Sequence, residues 1–239
     1  MDRGFGTAPA WLGAVDYGHV VVLVDYRTGN VQCLLPPAAR LWCQAARTGR
    51  TDRLPPALAD RLFGLGLLTP VSEPAPWPAP VAGNPAAASW GGAEHPAGTG
   101  RIPGPISISA AAALAAVFLL KRAGARTTVM RRLTTAMRTA VPRCEVRATT
   151  AQAHEAVLAV RRAAWYSPGR TACLEESVAA VFLLATSRLA VTWCHGVAPD
   201  PVRLHAWVQT DDGYPVAEPR STLDYTPLLT IGAGHQQHP

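Results

Sequence analysis

The chain has 239 residues, a mass of 25.2 kDa and a formal net charge of +6, with charged side chains at 16% and apolar ones at 49%. That balance excludes wholesale disorder and suffices for the core of one large domain or two small ones. The 22 prolines exclude a coiled coil or a fibre, and the basic excess favours an acidic partner without choosing among peptide, nucleic acid and membrane surface.

The β-branched run from His19 to Val24 predicts a strand. Thr28-Gly29-Asn30 is a turn signal, and Val31 to Leu35 is the return strand of a hairpin. Pro36-Pro37 open a helix that continues through Ala46, with Leu41, Trp42 and Ala45 as its apolar stripe. Pro55-Pro56 open another, with Leu58, Leu62 and Leu65 on one side. A hairpin followed by helices within residues 1–69 predicts a winged helix-turn-helix-like module. A DNA reader concentrates Lys and Arg on its second helix. Here that helix offers only Arg61, beside Asp60, so no nucleic acid partner is expected.

Residues 70–105 hold nine prolines and six glycines and few large aliphatic side chains, which predicts a Pro/Gly-rich linker. Ile106 to Leu120 follows as an apolar stretch of 15 residues. The roughly 20 needed to span a bilayer are not reached, so a buried helix is expected and no transmembrane segment. Residues 121–147 carry eight Lys or Arg against Glu145 alone, either a solvated helix face or a landing surface for a partner. Ala151 to Ala164 and Thr171 to Ala185 are predicted helices. The period then changes from 3.6 to 2, and Leu189–Trp193, Arg203–Gln209 and Tyr214–Glu218 are predicted strands. Helices before strands make residues 106–239 an α+β domain.

The five cysteines, Cys33, Cys43, Cys144, Cys173 and Cys194, form no CxxC pair and are odd in number. Neither a disulfide framework nor a zinc site follows. With no signal layout in the first ten residues, a reducing cytoplasmic setting is expected. No nucleotide or metalloprotease motif occurs, and no cofactor or metal is expected.

Chemistry concentrates after Pro168-Gly169. Thr171 is placed to cap a helix, with Glu175 and Glu176 in its first turn, so Cys173 falls at the helix start. Helix N-termini favour thiolate over thiol, and their unpaired N–H groups can hold an oxyanion. A thiolate nucleophile needs a base. On the predicted strand Arg203–Gln209, His205, Trp207 and Gln209 share one face. If Asp212-Gly213 form a two-residue hairpin turn, Asp211 faces Tyr214 and Trp207 lies opposite Glu218. Glu218 is then a diagonal neighbour of His205, able to orient its ring. A loop one residue longer would send Glu218 to the other face, and Asp212 stands as the alternative acid. Cys194-His195 are adjacent, hence on opposite faces of a strand; His235 and His238 lie in a Gly/Gln tail.

Thr171-Ala172-Cys173-Leu174-Glu175-Glu176-Ser177, Gly196-Val197, Pro201-Val202-Arg203-Leu204-His205-Ala206-Trp207-Val208 and Gly213-Tyr214-Pro215-Val216-Ala217-Glu218 together resemble the lasso peptide biosynthesis B protein. The resemblance is most specific from Cys173 to about Ile231. It implies a transglutaminase-like, papain-related cysteine peptidase that removes the leader from a ribosomally made (RiPP) precursor during antibiotic biosynthesis. Cys173 matches the nucleophile and His205 the general base. The family usually has Asp where this chain has Glu218. The module at 1–69 resembles the fused RiPP recognition element, in which the leader adds a strand beside Val31, Gln32, Cys33, Leu34 and Leu35. The implied partners are the precursor peptide and an asparagine-synthetase-like cyclase. A transglutaminase-like acyl transferase and a peptide-binding scaffold are the competing expectations.

Overall fold

A computed structural model describes residues 4–84, 102–199 and 201–232. They form two units, one within 4–84 and one within 102–232, and each mixes helices with strands.

The first unit runs β1 (Gly6–Thr7), β2 (Leu12–Asp16), β3 (Val21–Asp25), β4 (Val31–Leu34), α1 (Pro36–Thr48), α2 (Pro56–Gly64), β5 (Thr69–Pro70) and β6 (Val81–Ala82). The predicted hairpin is present, with Val24 opposite Val31. Asp25 builds its turn: its carboxylate accepts from the Arg27 N–H at 2.8 Å and the Thr28 hydroxyl at 2.9 Å. Gly29 adopts φ +81°, as the turn requires. The hairpin belongs to a larger sheet of order β4-β3-β2-β6, in which β2 is antiparallel to β3 and β6 runs parallel to β2. Every residue of β3 is buried, which explains a valine-rich strand without alternation.

Residues 70–84 are not linker. Trp77 is buried, meets Trp42 of α1 edge to face at 5.4 Å and donates its backbone N–H to Ala46 O at 3.0 Å. Gly49 closes α1 at φ +68°, where a Cβ would lie 2.3 Å from the Ala75 nitrogen. The proline-rich composition hid these anchors: Pro74, Pro76 and Pro78 stiffen an extended segment that one tryptophan pins to the core. Trp77→Ala should therefore cost about 3 kcal/mol or more in urea unfolding of the full chain. A loss below about 0.5 kcal/mol, the value for an unanchored surface residue, contradicts this placement. Of the rest of the expected linker, residues 85–101 lie outside the described residues, and 102–105 form neither helix nor strand.

The second unit contains α3 (Ile108–Arg122), α4 (Val129–Ala140), β7 (Val146–Arg147), α5 (Thr150–Trp165), α6 (Cys173–Thr186), β8 (Leu189–Ala190), β9 (Thr192–Ala198), β10 (Arg203–Gln209) and β11 (Thr226–Ile231). Ser107 caps α3 by accepting from the Ala110 N–H at 3.3 Å, and Thr149 with Gln152 forms a capping box on α5. α6 packs against α3, α5 and β10. It is apolar nearly all round because Val178, Ala179, Ala180 and Val181 are all buried. The sheet is antiparallel, in the order β10-β9-β11.

Some of the basic residues at 121–147 have internal work. Arg132 donates to the C-terminal carbonyls of α3, to Leu120 O at 2.7 Å and Lys121 O at 2.9 Å. Lys121 pairs with Glu175. Arg131 and Arg138 lie on the exposed side of α4, opposite buried Met130, Leu133 and Met137. No helix of the described residues is long and apolar enough to cross a membrane.

The predicted strand Tyr214–Glu218 is not formed. One bridge joins Gln209 to Pro215, Val216 donates to Val208 O at 2.8 Å, and the chain then leaves the ladder at Ala217. The partner of β10 is β9, and the third strand, β11, begins only at Thr226.

Candidate active site

Cys173 is the first residue of α6 and is partly exposed. Ala172, in extended conformation, precedes it as the capping position; Thr171 does not fill that place. The Thr171 side chain hydrogen-bonds Glu176 instead. Glu175 reaches back to accept the Ala172 N–H at 2.9 Å and is itself paired with Lys121. The Trp193 indole donates to Ser177 Oγ at 2.9 Å, tying α6 to β9. By position, the N–H groups of Cys173 and Leu174 have no partner within the helix, which makes them donors for an anionic oxygen.

His205 lies on β10, only 2% exposed, directly opposite Gly196. Its ring stacks on Trp207 at 5.8 Å and meets Tyr225 at 5.2 Å. Gly196 is required there, since a Cβ would lie 2.8 Å from the Trp207 ring and 2.8 Å from Thr226 O. His205 Nε2 contacts Glu218 Oε2 at 2.9 Å, leaving Nδ1 as the nitrogen for the sulfur of Cys173. Burial pulls the imidazole down. Hydrogen bonds with Cys173 and Glu218, and their negative charge, outweigh it and push His205 up to about 9.

Cys173, His205 and Glu218 are thus brought together, but Glu218 arrives by an unexpected route. The Gln209–Pro215 bridge is one residue out of the predicted register. Continued, it would set Ala217 opposite Trp207 and turn Glu218 away from His205. Ala217 adopts φ +54° instead, and Glu218 turns back beneath the ring. Asp212, the alternative acid, stays in the turn, where its carboxylate accepts from Thr210 Oγ1 at 2.8 Å and the Tyr214 N–H at 3.1 Å. Those bonds hold it below the usual carboxylate range.

Burial pushes Cys194 up to about 12, and Cys33, Cys43 and Cys144 are raised chiefly by burial as well. Burial, then the neighbouring charge of His205, drives His195 down to about 4, so it stays neutral. His235 and His238 lie outside the described residues. Among the described residues no group of three or more His, Cys, Asp or Glu could hold a metal ion.

Sequence reasoning missed Arg161, and read Glu176 only as an acid suited to a helix start. Arg161 lies on the buried side of α5, one turn after Val157, and pairs with Glu218 and, at 3.4 Å, with Glu176. Burial raises the Glu176 carboxyl, against the pull of Arg161 and Thr171. A signal was available: Ala153, Val157 and Arg161 recur at four-residue spacing, placing a cation on an apolar helical stripe. In the first unit, β4 stands at the end of its sheet among the described residues. Val31 and Gln32 are half-buried and Cys33 exposed, while Leu34 packs in the core and Leu35 lies beyond the strand as the residue before α1.

A sulfur at a helix start, an imidazole and a buried carboxylate define the chemistry of a cysteine nucleophile. Residues 115–230, which cover most of the second unit, match the family model described as the Transglutaminase-like superfamily. Such domains are typically cysteine-protease-like enzymes, with a fold shared by peptidases and acyltransferases. No curated protein and no solved structure matches the chain.

Proposed function

We propose that the chain is a two-part leader peptidase of the lasso peptide B type. The first unit, read as a winged-helix recognition element, grips the leader of a ribosomal precursor, and the second cuts at the leader–core junction. The observation that carries this reading is the 2.9 Å contact between His205 and Glu218 beside Cys173. In the mechanism, the Cys173 thiolate attacks the scissile carbonyl, and N–H groups at the start of α6 hold the oxyanion. The C–N bond breaks as imidazolium His205 protonates the departing amine, leaving the leader as a thioester on Cys173. His205, now neutral, takes a proton from water, whose oxygen displaces the sulfur. The freed core amine passes to a cyclase. Trp207 and Tyr225 cover the ring and keep bulk water from the His205–Glu218 contact.

Leader binding by strand addition to β4 fits the backbone. Asp25 donates to Asn30 O, so Leu23–Gln32 and Val21–Leu34 are the hydrogen-bonded pairs. Val31 and Cys33 then turn their N–H and C=O groups to the open edge, where an extended peptide can pair. The covalent tie between the units raises the effective concentration of the bound precursor at Cys173. Cys33→Pro removes one outward N–H without breaking the ladder to β3. It should weaken leader binding about 3- to 10-fold by fluorescence anisotropy, the worth of one backbone hydrogen bond. Unchanged affinity rules this edge out.

The reading is tested by incubating the full chain with the precursor peptide and an added primary amine, followed by mass spectrometry. Hydrolysis yields a leader with a free carboxylate. A leader joined to the added amine identifies an acyl transferase, and an untouched peptide a binding protein.

A further inference from the structure

Glu218 reaches His205 without a β-ladder to hold it there. The preceding Ala217 sits at φ +54°, a backbone conformation disfavoured for any residue with a Cβ. One side chain braces both residues. From α5, Arg161 donates Nη1 to Ala217 O and Nη2 to Glu218 Oε1, while its Nε faces Glu176 Oε2 at 3.4 Å. The Arg161 side chain is 11% exposed, and those of Glu218 and Glu176 are 4% and 15% exposed. The Thr222 hydroxyl adds a donor to Glu218 Oε2 at 3.3 Å.

We propose that Arg161 is the positioning residue of this site, a fork that fixes Ala217 and Glu218 together so that the carboxylate meets His205. The proposal rests on the catalytic reading of Cys173 and His205 given above. The chemistry of the fork is specific: a planar guanidinium offers parallel donors to a carbonyl and a carboxylate at once, and an ammonium does not. Its charge also separates two buried carboxylates that would otherwise repel. The groups facing His205 are Cys173 from α6, Glu218, Tyr225 and, from β9, His195. Those facing Glu218 are Arg161, His205, Thr222, Glu176 and Tyr225.

The test compares wild type, Arg161→Gln, Arg161→Lys, Glu218→Gln and the double variant Arg161→Gln/Glu218→Gln, each confirmed folded by thermal unfolding. Arg161→Gln should lower kcat for precursor cleavage about 10- to 100-fold with KM nearly unchanged, as a misplaced catalytic group does. The double variant should be no more than about 3-fold worse than Glu218→Gln alone, because Arg161 acts through Glu218. Arg161→Lys should recover only a small part of the loss; full recovery overturns the fork. The pH dependence of Cys173 alkylation gives a readout free of substrate. Losing the Glu218 contact moves the alkaline limb toward neutral, in Arg161→Gln as in Glu218→Gln. A bystander cation, once removed, would move it the other way, and that result overturns the proposal. Wild-type kinetics in Arg161→Gln overturn it too and leave the peptidase reading standing. A wild-type chain that cleaves nothing, with Cys173 alkylation indifferent to His205, overturns both.

Discussion

Cys173→Ala should abolish cleavage, with at least about a 10⁴-fold loss of kcat, because no other group can form the thioester. Cys194 cannot substitute: it is fully buried, and burial pushes its thiol up to about 12. Leader affinity should stay within about 2-fold of wild type, since Cys173 and β4 belong to different units and the substitution leaves β4 unaltered. The measurements are product formation by mass spectrometry and binding by anisotropy, made on the same preparation. Residual cleavage within about 100-fold of wild type would remove Cys173 from the mechanism.

The second large effect belongs to His205. His205→Asn should cost about 10³-fold or more in kcat, since both the proton for the leaving amine and the base for water are lost. The wild-type pH profile carries the same information. His205 is raised from 6.5 to about 9, so the imidazolium persists through neutral pH and is lost above about 9. Cleavage should therefore decline on the alkaline side near pH 9. The folded chain binds this proton more tightly than the unfolded chain does. The resulting stabilisation is complete below about pH 6.5 and fades as pH rises to about 9. His195 has the opposite sign: driven down to about 4, it withdraws stability as pH falls from about 6.5 to about 4. A cleavage profile flat through pH 10 contradicts the assignment of His205.

Local features of the sequence carried most of the architecture. The Val20–Val24 run, Pro36-Pro37, the apolar stripe of α1 and the alternation in Arg203–Gln209 each act within a few residues of where they lie, and each element formed. The segments that failed depend on distant partners. Trp77 is anchored by Trp42 across 35 residues of sequence, so proline content alone made 70–84 resemble a linker. Leu12–Asp16 and Thr226–Ile231 owe their strand conformation to neighbours in the sheet. The elements that carry Cys173 and His205 were legible. Pro168-Gly169 followed by acids marked Cys173 as a helix start, and an alternating strand marked His205. Glu218 was named through a register the chain does not adopt. What places it is a positive φ at Ala217 and a guanidinium from α5, neither of which has a short-range signature. Thr171 shows the same limit: its hydroxyl serves Glu176, and the cap falls to Ala172.

The account stands on Cys173, His205 and Glu218 working as one unit, and the rate of carboxymethylation of each cysteine, mapped by peptide mass spectrometry across pH 5 to 10, tests this most directly. Cys173 should react far faster than exposed Cys33 at pH 6, and should fall into line with Cys33 in His205→Asn. A wild-type Cys173 no more reactive than Cys33 at that pH, or one equally fast without His205, contradicts the account.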